Sequence, residues 1–336
     1  MRTGRPTLED VAARAGVSRA TASRVVNGNT HVIDGTRRAV EQAVDDLGYA
    51  PNRAARSLAA SCSDTVALVV SEPSARMFTD PFFAGIIRGV SSGLADSRYQ
   101  LALLMAQDQA DRERVERHLL RGNADGVLLL SLRADDPIPP RLTAAGIPCV
   151  LAGRPRDDVG VGYVDADNEG GARLAVTHLV DRGRRTIATV AGPKDRAVGV
   201  DRLAGWRAAL RQAGRKPDRT LIARGDFTPT GAATAATALL ERRPDVDGIF
   251  VASDLMALGV LDAVRQSGRR VPDDVAIVGF DDGELARSSV PPLTTVRQPI
   301  DELGRRMADL LIAQLDHNAA PKGLILKTEL VIRQST

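Results

Sequence analysis

Cysteine is scarce in this 336-residue chain, which contains only Cys62 and Cys149. Two widely separated cysteines have neither the spacing of a zinc site nor the density of a disulfide scaffold, so we expect a reducing, cytoplasmic compartment. Long hydrophobic runs are missing as well. No stretch reaches 18 consecutive apolar residues, and no apolar segment of signal-peptide length follows the N-terminal arginines. We therefore expect a soluble protein that is not exported.

Sequence signals for catalysis and metal binding are equally poor. The four histidines form no H-x-x-x-H pair, and there is no G-x-S-x-G elbow, Walker loop or intact G-x-G-x-x-G after a strand. Asp281 and Asp282 are adjacent carboxylates, but neighbours in a strand point to opposite sides. The sequence therefore predicts no enzyme activity, no cofactor and no metal site.

The positive charge is distributed unevenly along the chain. Residues 1–61 contain nine arginines and no lysine against six acidic residues, whereas the remainder has equal numbers of basic and acidic residues. The whole net charge of +3 therefore belongs to the first fifth of the chain. A basic segment joined to a neutral body is typical of a small module that meets a polyanion.

The first 50 residues have the pattern of a helix-turn-helix module. Thr7 and Asp10 have the spacing of a capping box at the start of a helix. Gly16 then permits a tight turn, and Ser18 can cap a second helix. A third amphipathic helix is predicted over 35–47. Together these elements predict an all-α DNA-binding headpiece.

The second helix, within "GVSRATASRVVNG" (16–28), has two unlike faces. Ala22, Val25 and Val26 follow i, i+3, i+4 spacing and form an apolar face. The opposite face carries small, hydrogen-bonding and cationic side chains, namely Arg19, Ala20, Ser23, Arg24 and Asn27. Such a face is also consistent with an ordinary solvent-exposed helix, in which the arginines are simple surface charges. The adjoining helix, the turn and the basic segment favour a recognition helix, because an α-helix fits the major groove, where arginine can bond guanine.

Beyond residue 64, short β-rich runs alternate with predicted helices. The runs are "TVALVV", "YQLALLM", "DGVLLLSL", "IPCVLAG", "TIATVAG", "DGIFVAS" and "VAIVGF". Nearly continuous apolar strands separated by helices predict an α/β body with parallel sheets covered on both faces. These units exceed one doubly wound domain, so two lobes are expected. Residues 49–61, "YAPNRAARSLAAS", have no broad apolar face and are interpreted as a linker.

Motifs in the same order along essentially the whole chain resemble the lactose/galactose repressor family. They are "TLEDVAARAGVSRATASRVVNG", "GYAPNRAARSL", "AGWRAAL", "SDLMALG" and "VGFDD…PPLTTVRQP". Within the family, the chain looks most similar to the cellulose-utilisation (cello-oligosaccharide) repressors of actinobacteria, through "TVALVVSE", "DGVLLLSL", "GDFT" and "GRRVPDDVAIVGFDD".

The resemblance implies a headpiece, a hinge helix and a two-lobed body like a periplasmic sugar-binding protein, in which the chain crosses between lobes three times. We expect the headpiece over 1–50 and the hinge over 51–61. The N-terminal lobe would comprise 62–163 and 292–323, and the C-terminal lobe 164–291 and 324–336.

The resemblance also implies which residues contact DNA. Arg19, Ala20 and Arg24 match the family's base-reading positions. Residues that would hold phosphates and fix register are Thr7, Ser18, Thr21, Ser23 and Asn27. In the hinge, which carries Asn52, Leu58 matches a leucine that wedges into the central base step of the minor groove. Without the resemblance, Leu58 would be interpreted as a core leucine.

The effector site is likewise implied by resemblance, since no spacing rule alone collects its residues. Arg202 and Asp281 match positions that bond effector hydroxyls, and Phe227 matches an aromatic platform. The remaining candidates are Phe82, Phe83, Ser253 and Gln298. Ser253 stands where sugar repressors often have Asn, and Gly153 where several have Asp. Which ligand hydroxyls the site recognises is therefore left open. Taken singly, each candidate is also consistent with a surface or core role.

These observations lead to the hypothesis of a ligand-controlled transcriptional regulator, a repressor of carbohydrate-utilisation genes. We expect a homodimer on a pseudo-palindromic operator, cytoplasmic and nucleoid-associated, released by a small sugar, with a preference for a cello-oligosaccharide. The alternatives are a purine- or other corepressor-dependent repressor of the same family and a carbohydrate-active enzyme with a fused DNA-binding segment. A plain solute receptor fits poorly with the headpiece.

Overall fold

The computed structural model describes residues 6–26, 32–49, 62–133, 135–155 and 160–336. The chain divides into two compact units, residues 1–63 and residues 64–336. Within the described ranges, no helix is both long enough and apolar enough to cross a membrane.

The described part of the first unit contains the three predicted helices. They are α1 (Leu8–Ala15), α2 (Arg19–Val26) and α3 (Asp34–Leu47). The capping box of Thr7 and Asp10 is confirmed: the Thr7 hydroxyl accepts from the Asp10 amide at 3.3 Å, and the Asp10 carboxylate accepts from the Thr7 amide at 2.8 Å. Gly16 ends α1 with φ +68°, a left-handed conformation that costs a residue without Cβ little.

A small apolar core joins these helices. Val11, Ala22 and Val40, one from each helix, have no exposed surface. Val17 in the turn packs against the same cluster. Ala22 is the buried residue of α2, so most of that helix surface stays outside the core.

The first lobe of the second unit is built on a six-stranded parallel sheet with the order β11-β5-β4-β3-β1-β2. Its strands are β1 (Thr65–Val70), β2 (Gln100–Met105), β3 (Gly126–Leu130), β4 (Cys149–Ala152), β5 (Gly162–Ala166) and β11 (Gly323–Leu326). Its helices are α4 (Ser74–Thr79), α5 (Pro81–Leu94), α6 (Gln109–Leu120), α7 (Ile138–Ala144) and α13 (Ile300–His317). Two buried clusters, one containing Leu68 and the other Val69, cover the two faces.

The second lobe is built on another six-stranded sheet, in the order β12-β10-β9-β8-β6-β7. Its strands are β6 (Ile187–Ala191), β7 (Ile222–Arg224), β8 (Gly248–Val251), β9 (Ala276–Asp281), β10 (Thr294–Arg297) and β12 (Glu329–Val331). Its helices are α8 (Asn168–Asp181), α9 (Ala197–Gln212), α10 (Pro229–Arg242), α11 (Asp254–Gln266) and α12 (Glu284–Ser288). All neighbouring strands are parallel except β10 and β12, which are antiparallel.

The chain passes between the lobes at places that differ from the expected boundaries at 163, 292 and 323. Strand β5 runs through residue 166 within the first sheet, and β10 pairs in parallel with β9, so it belongs to the second lobe. Strand β11 pairs with β5 in the first sheet. The crossings therefore lie near residues 167, 298 and 327. The composition of a short strand does not specify which of the two sheets it joins. Its pairing with a neighbouring strand of that sheet does.

Helices α5 and α13 pack at very short range in the first lobe. A Cβ at Gly89 would lie 2.1 Å from the backbone oxygen of Asp301, and one at Gly304 would lie 2.3 Å from that of Ile86. Only glycine allows the two helix backbones to come this close. Because α13 follows the crossing near residue 298, this contact attaches the last long helix to the first lobe.

Candidate functional site

The exposed side of α2 presents the predicted base-reading residues. Arg19, Ala20 and Arg24 are exposed, whereas Ala22 is buried. Arg19 forms an ion pair with Glu9 of α1, with Nε and Oε1 2.8 Å apart. An exposed pair of this kind contributes little stability, so a phosphate or a base edge can replace Glu9 at small cost.

The predicted phosphate-contacting residues lie around the ends of α1 and α2. Thr7 caps α1, and the Ser18 hydroxyl accepts from the Thr21 amide at 3.1 Å and lies 2.9 Å from the Thr21 hydroxyl. Ser23 is half-buried within α2. The remaining candidates, Asn27, Asn52 and Leu58, lie outside the described residues, as does the hinge at 51–61.

A cavity of about 370 Å³ is lined by residues of both lobes. Its walls include loop residues that follow β3, β4, β6, β8 and β10, together with the last residue of β9. Ligands collect at the carboxyl ends of strands in open α/β sheets. Six predicted effector residues line this cavity: Phe82, Arg202, Phe227, Ser253, Asp281 and Gln298. The seventh, Phe83, is fully buried in the first lobe and packs edge-on against Phe82, with ring centroids 5.5 Å apart.

Arg202 projects from α9 and is 5% exposed. Its Nε donates to Asn168 Oδ1 at 2.8 Å, and one terminal nitrogen donates to the Ala252 carbonyl at 2.5 Å. The same nitrogen lies 3.6 Å from Asp281 Oδ1, and the guanidinium stacks over the Phe280 ring. Burial lowers the pKa of Arg202, while the charge of Asp281 opposes that change. These contacts fix the guanidinium in one orientation at the cavity wall.

Asp281 ends β9 with φ +121°, which is strained for a residue with a side chain. Gln298 Nε2 donates to Asp281 Oδ1 at 2.6 Å. Burial raises the pKa of Asp281 to about 7, against the opposite effect of Arg202. Strain and an elevated carboxyl pKa at a cavity wall are features of a functional site.

A second carboxylate, Asp254 at the start of α11, interacts with Asp281. It is 2% exposed and accepts from the Thr295 hydroxyl at 2.6 Å and the Asp282 amide at 2.8 Å. Burial, followed by the negative charge of Asp281, raises the pKa of Asp254 well above its usual range. Two carboxyls that interact in this way resist simultaneous ionisation, so the protonation of Asp281 depends on that of Asp254.

The Phe227 ring is less accessible than an aromatic platform with a free face. It is 5% exposed, and the guanidinium carbon of Arg76 lies 4.7 Å from the ring centroid. A Cβ at Gly192 would lie 2.6 Å from the ring, so glycine there makes room for it. Because Arg76 belongs to the first lobe and Phe227 to the second, this cation–π contact joins the lobes. Ser253 is also engaged: its hydroxyl caps α11 by accepting from the Met256 amide at 3.2 Å.

A second contact between the lobes was not predicted from the sequence. Glu72, after β1, is 3% exposed and accepts from Arg76 at 2.5 Å and from the Ser131 hydroxyl at 2.5 Å. Arg196 of the second lobe lies 3.0 Å from the same carboxylate and also donates to the Ser131 carbonyl. The available signal was their position after buried strands, since Ser131 directly follows β3 and Glu72 is the second residue after β1.

Two more exposed ion pairs cross between the lobes. Arg133 lies 3.4 Å from Asp195, and Arg154 lies 3.3 Å from Asp201. The cavity wall thus combines fixed guanidinium donors with carboxylate acceptors, and aromatic rings lie among them. Hydroxyl groups both donate and accept, so this arrangement complements a neutral polyhydroxylated ligand.

Two family descriptions match the chain. Residues 7–52 match the bacterial regulatory proteins of the lacI family, and residues 176–336 match a periplasmic binding protein-like domain. The first match covers the three helices of the headpiece, and the second covers most of the second lobe with the last segments of the first.

Known proteins similar to this chain are transcriptional regulators. The HTH-type transcriptional regulator CelR of Thermobifida fusca is 49% identical over 334 residues, covering 98% of each chain. The ribose operon repressor of Escherichia coli is 34% identical, covering 92% of this chain and 93% of its own.

Solved structures of two regulators match nearly the full length of the chain. A transcriptional regulator CelR–cellobiose complex matches with a TM-score of 0.80 and 48% identity, covering 99% of this chain and 100% of its own. The lac repressor dimer bound to operator and an anti-inducer matches with a TM-score of 0.86 and 30% identity, covering 99% of both.

Proposed function

The chain belongs to the lacI family of bacterial regulatory proteins, and on that premise we propose that it is a sugar-responsive transcriptional repressor of carbohydrate-utilisation genes. Its effector is a cello-oligosaccharide. The observation that carries this assignment is the cavity between the lobes, lined by Arg202, Asp281 and Gln298, in a chain 48% identical to a regulator solved with cellobiose.

The headpiece supports the DNA-binding half of the proposal. Arg19 and Arg24 lie exposed on α2 with Ala20 between them, and the helix can enter a major groove. Thr7, Ser18, Thr21, Ser23 and Asn27 take phosphate and register contacts, and Asn52 and Leu58 act in the hinge. The protein binds a pseudo-palindromic operator as a homodimer, because two helix-turn-helix modules read two half-sites. It acts in the cytoplasm, at the nucleoid.

The cavity supports the effector half. Arg202 and Asp281 present opposite charges to ligand hydroxyls, while Phe82 and Phe227 present ring surface. Gln298 and Ser253 supplement these contacts. A buried charge pair that loses its hydroxyl partners is costly, so ligands without hydroxyls at these places are rejected. Sugar binding favours an arrangement of the lobes that binds operator poorly, and the ligand therefore releases DNA.

Calorimetric titration with a panel of ligands tests the effector assignment. We expect cellobiose and cellotriose to bind tightly, and maltose and galactose to bind at least tenfold more weakly. Asp281→Asn should abolish the sugar response while operator binding persists, since Asp281 belongs to the cavity and not to the headpiece. Tight binding of hypoxanthine alone would contradict the sugar assignment and favour a purine corepressor. Direct hydrolysis of the sugars would favour an enzyme.

A further inference from the structure

One carboxylate oxygen of the first lobe is buried at the effector cavity without a donor. Asp136 follows β3 and lines the same cavity as Asp281. Its Oδ1 accepts from the Ile138 amide at 3.0 Å at the start of α7. Its Oδ2 is buried and has no hydrogen-bond partner among the described residues. A buried carboxylate oxygen without a donor is costly, and a ligand in the cavity can supply that donor.

The surroundings of Asp136 favour a neutral hydroxyl donor as that partner. Burial raises the pKa of Asp136, and the charges of Arg112 and Arg196 oppose the increase. Its neighbour Asp135 acts in the opposite sense, but that side chain is 80% exposed and pairs with Arg133 at 3.5 Å. The guanidinium groups compensate the carboxylate at a distance and leave Oδ2 free of a direct bond. A hydroxyl can supply the missing donor without adding charge.

The position of Asp136 separates it from the other hydroxyl-reading groups. Arg202 projects from α9 and Asp281 ends β9, so both belong to the second lobe. Asp136 belongs to the loop between β3 and α7 of the first lobe. A ligand that satisfies all three must present hydroxyls to both lobes. A second sugar ring gives a ligand the additional length and hydroxyl groups with which to meet both lobes.

We propose that Asp136 accepts a hydrogen bond from the second sugar ring, the one not held by Arg202 and Asp281, and so makes the site selective for saccharides of two or more rings. This rests on the proposed function of the cavity as a sugar-binding site. Asp136 thereby joins the two lobes through the ligand, and a monosaccharide lacks that link.

Asp136→Asn tests this role with little other change. The amide oxygen can keep the bond from the Ile138 amide, which places a donor nitrogen where Oδ2 was. The loss of one charged hydrogen bond should weaken cellobiose binding about 10- to 100-fold. Glucose binding should change less than twofold. Asp96→Asn is the control, since it removes an exposed carboxylate of the first lobe that does not line the cavity, and should change neither affinity more than twofold.

Calorimetry on the full-length variants gives the affinities, and thermal denaturation verifies that each is folded. Asp136→Ala also removes the acceptor of the Ile138 amide at the start of α7, so it should lose the same cellobiose affinity and melt at a lower temperature than Asp136→Asn. Unchanged cellobiose affinity in Asp136→Asn would overturn the inference, because the oxygen would then be satisfied by water. Equal losses for glucose and cellobiose would overturn the second-ring assignment. A wild-type protein that ignores cellobiose would instead refute the proposed function.

Discussion

The buried ion pair between Glu72 and Arg196 should couple the two lobes measurably. Glu72 is 3% exposed, and the side chains of Arg76 and Arg196 are about 15% exposed. Removal of one partner from a buried pair costs about 3–5 kcal/mol. In Glu72→Gln the amide oxygen still accepts from one donor and the arginines reach some water. We therefore expect a loss of about 2–3 kcal/mol, a decrease in melting temperature of roughly 4–10 °C.

A double-mutant cycle isolates the part that acts between the lobes. Glu72→Gln, Arg196→Met and the double variant should show a coupling free energy above about 1 kcal/mol in thermal unfolding. If sugar binds the joined arrangement, each single variant should also weaken cellobiose binding, by up to about 30-fold for 2 kcal/mol. The matched control is the exposed pair of Arg154 and Asp201, whose coupling should stay below about 1 kcal/mol. Additive effects of Glu72→Gln and Arg196→Met would refute the reasoning.

Three further predictions concern protonation, packing and DNA contact. Sugar hydroxyls that donate to Asp281 favour its ionised form, and the pKa of Asp281 is raised to about 7. Cellobiose affinity should therefore rise between pH 6 and pH 8, and binding should release protons. Proton uptake measured by calorimetry would contradict this. Gly89→Ala should lower the free energy of unfolding by about 1–3 kcal/mol, because its Cβ would lie 2.1 Å from the backbone of α13. The control Gly283→Ala, whose Cβ would have no atom within 4 Å, should have little effect. Equal melting temperatures of the two variants would contradict the packing. Arg24→Ala should weaken operator binding about 10- to 100-fold in fluorescence anisotropy, whereas Arg14→Ala should change it little, and equal losses would count against a base-reading role.

Sequence reasoning was most accurate where local chemistry decides the structure. The capping box of Thr7 and Asp10 and the turn at Gly16 depend on a few neighbouring residues, and both are confirmed. The alternation of apolar strands with helices correctly predicted parallel sheets in two lobes. The points where the chain crosses between lobes were harder to predict, because the strand at 294–297 is assigned to the second lobe by its pairing with β9, which its own residues do not encode.

The cavity was predictable only in part for a related reason. Resemblance supplied Arg202 and Asp281, and the structure brings them together. Phe83 could not be told from Phe82 by sequence, because adjacent residues on a helix differ only in direction, and Phe83 points into the core. Asp136 was missed because an unsatisfied oxygen is recognisable only when its neighbours in space are known.

The linkage between sugar and operator tests the central claim most directly. Operator affinity should be measured by fluorescence anisotropy over a range of cellobiose concentrations, and cellobiose affinity by calorimetry with and without operator. The account predicts that cellobiose weakens operator binding at least tenfold, and that operator weakens cellobiose binding by the same factor, as thermodynamic reciprocity demands. Operator affinity that stays constant at saturating cellobiose would contradict the claim that this protein is a repressor released by a cello-oligosaccharide.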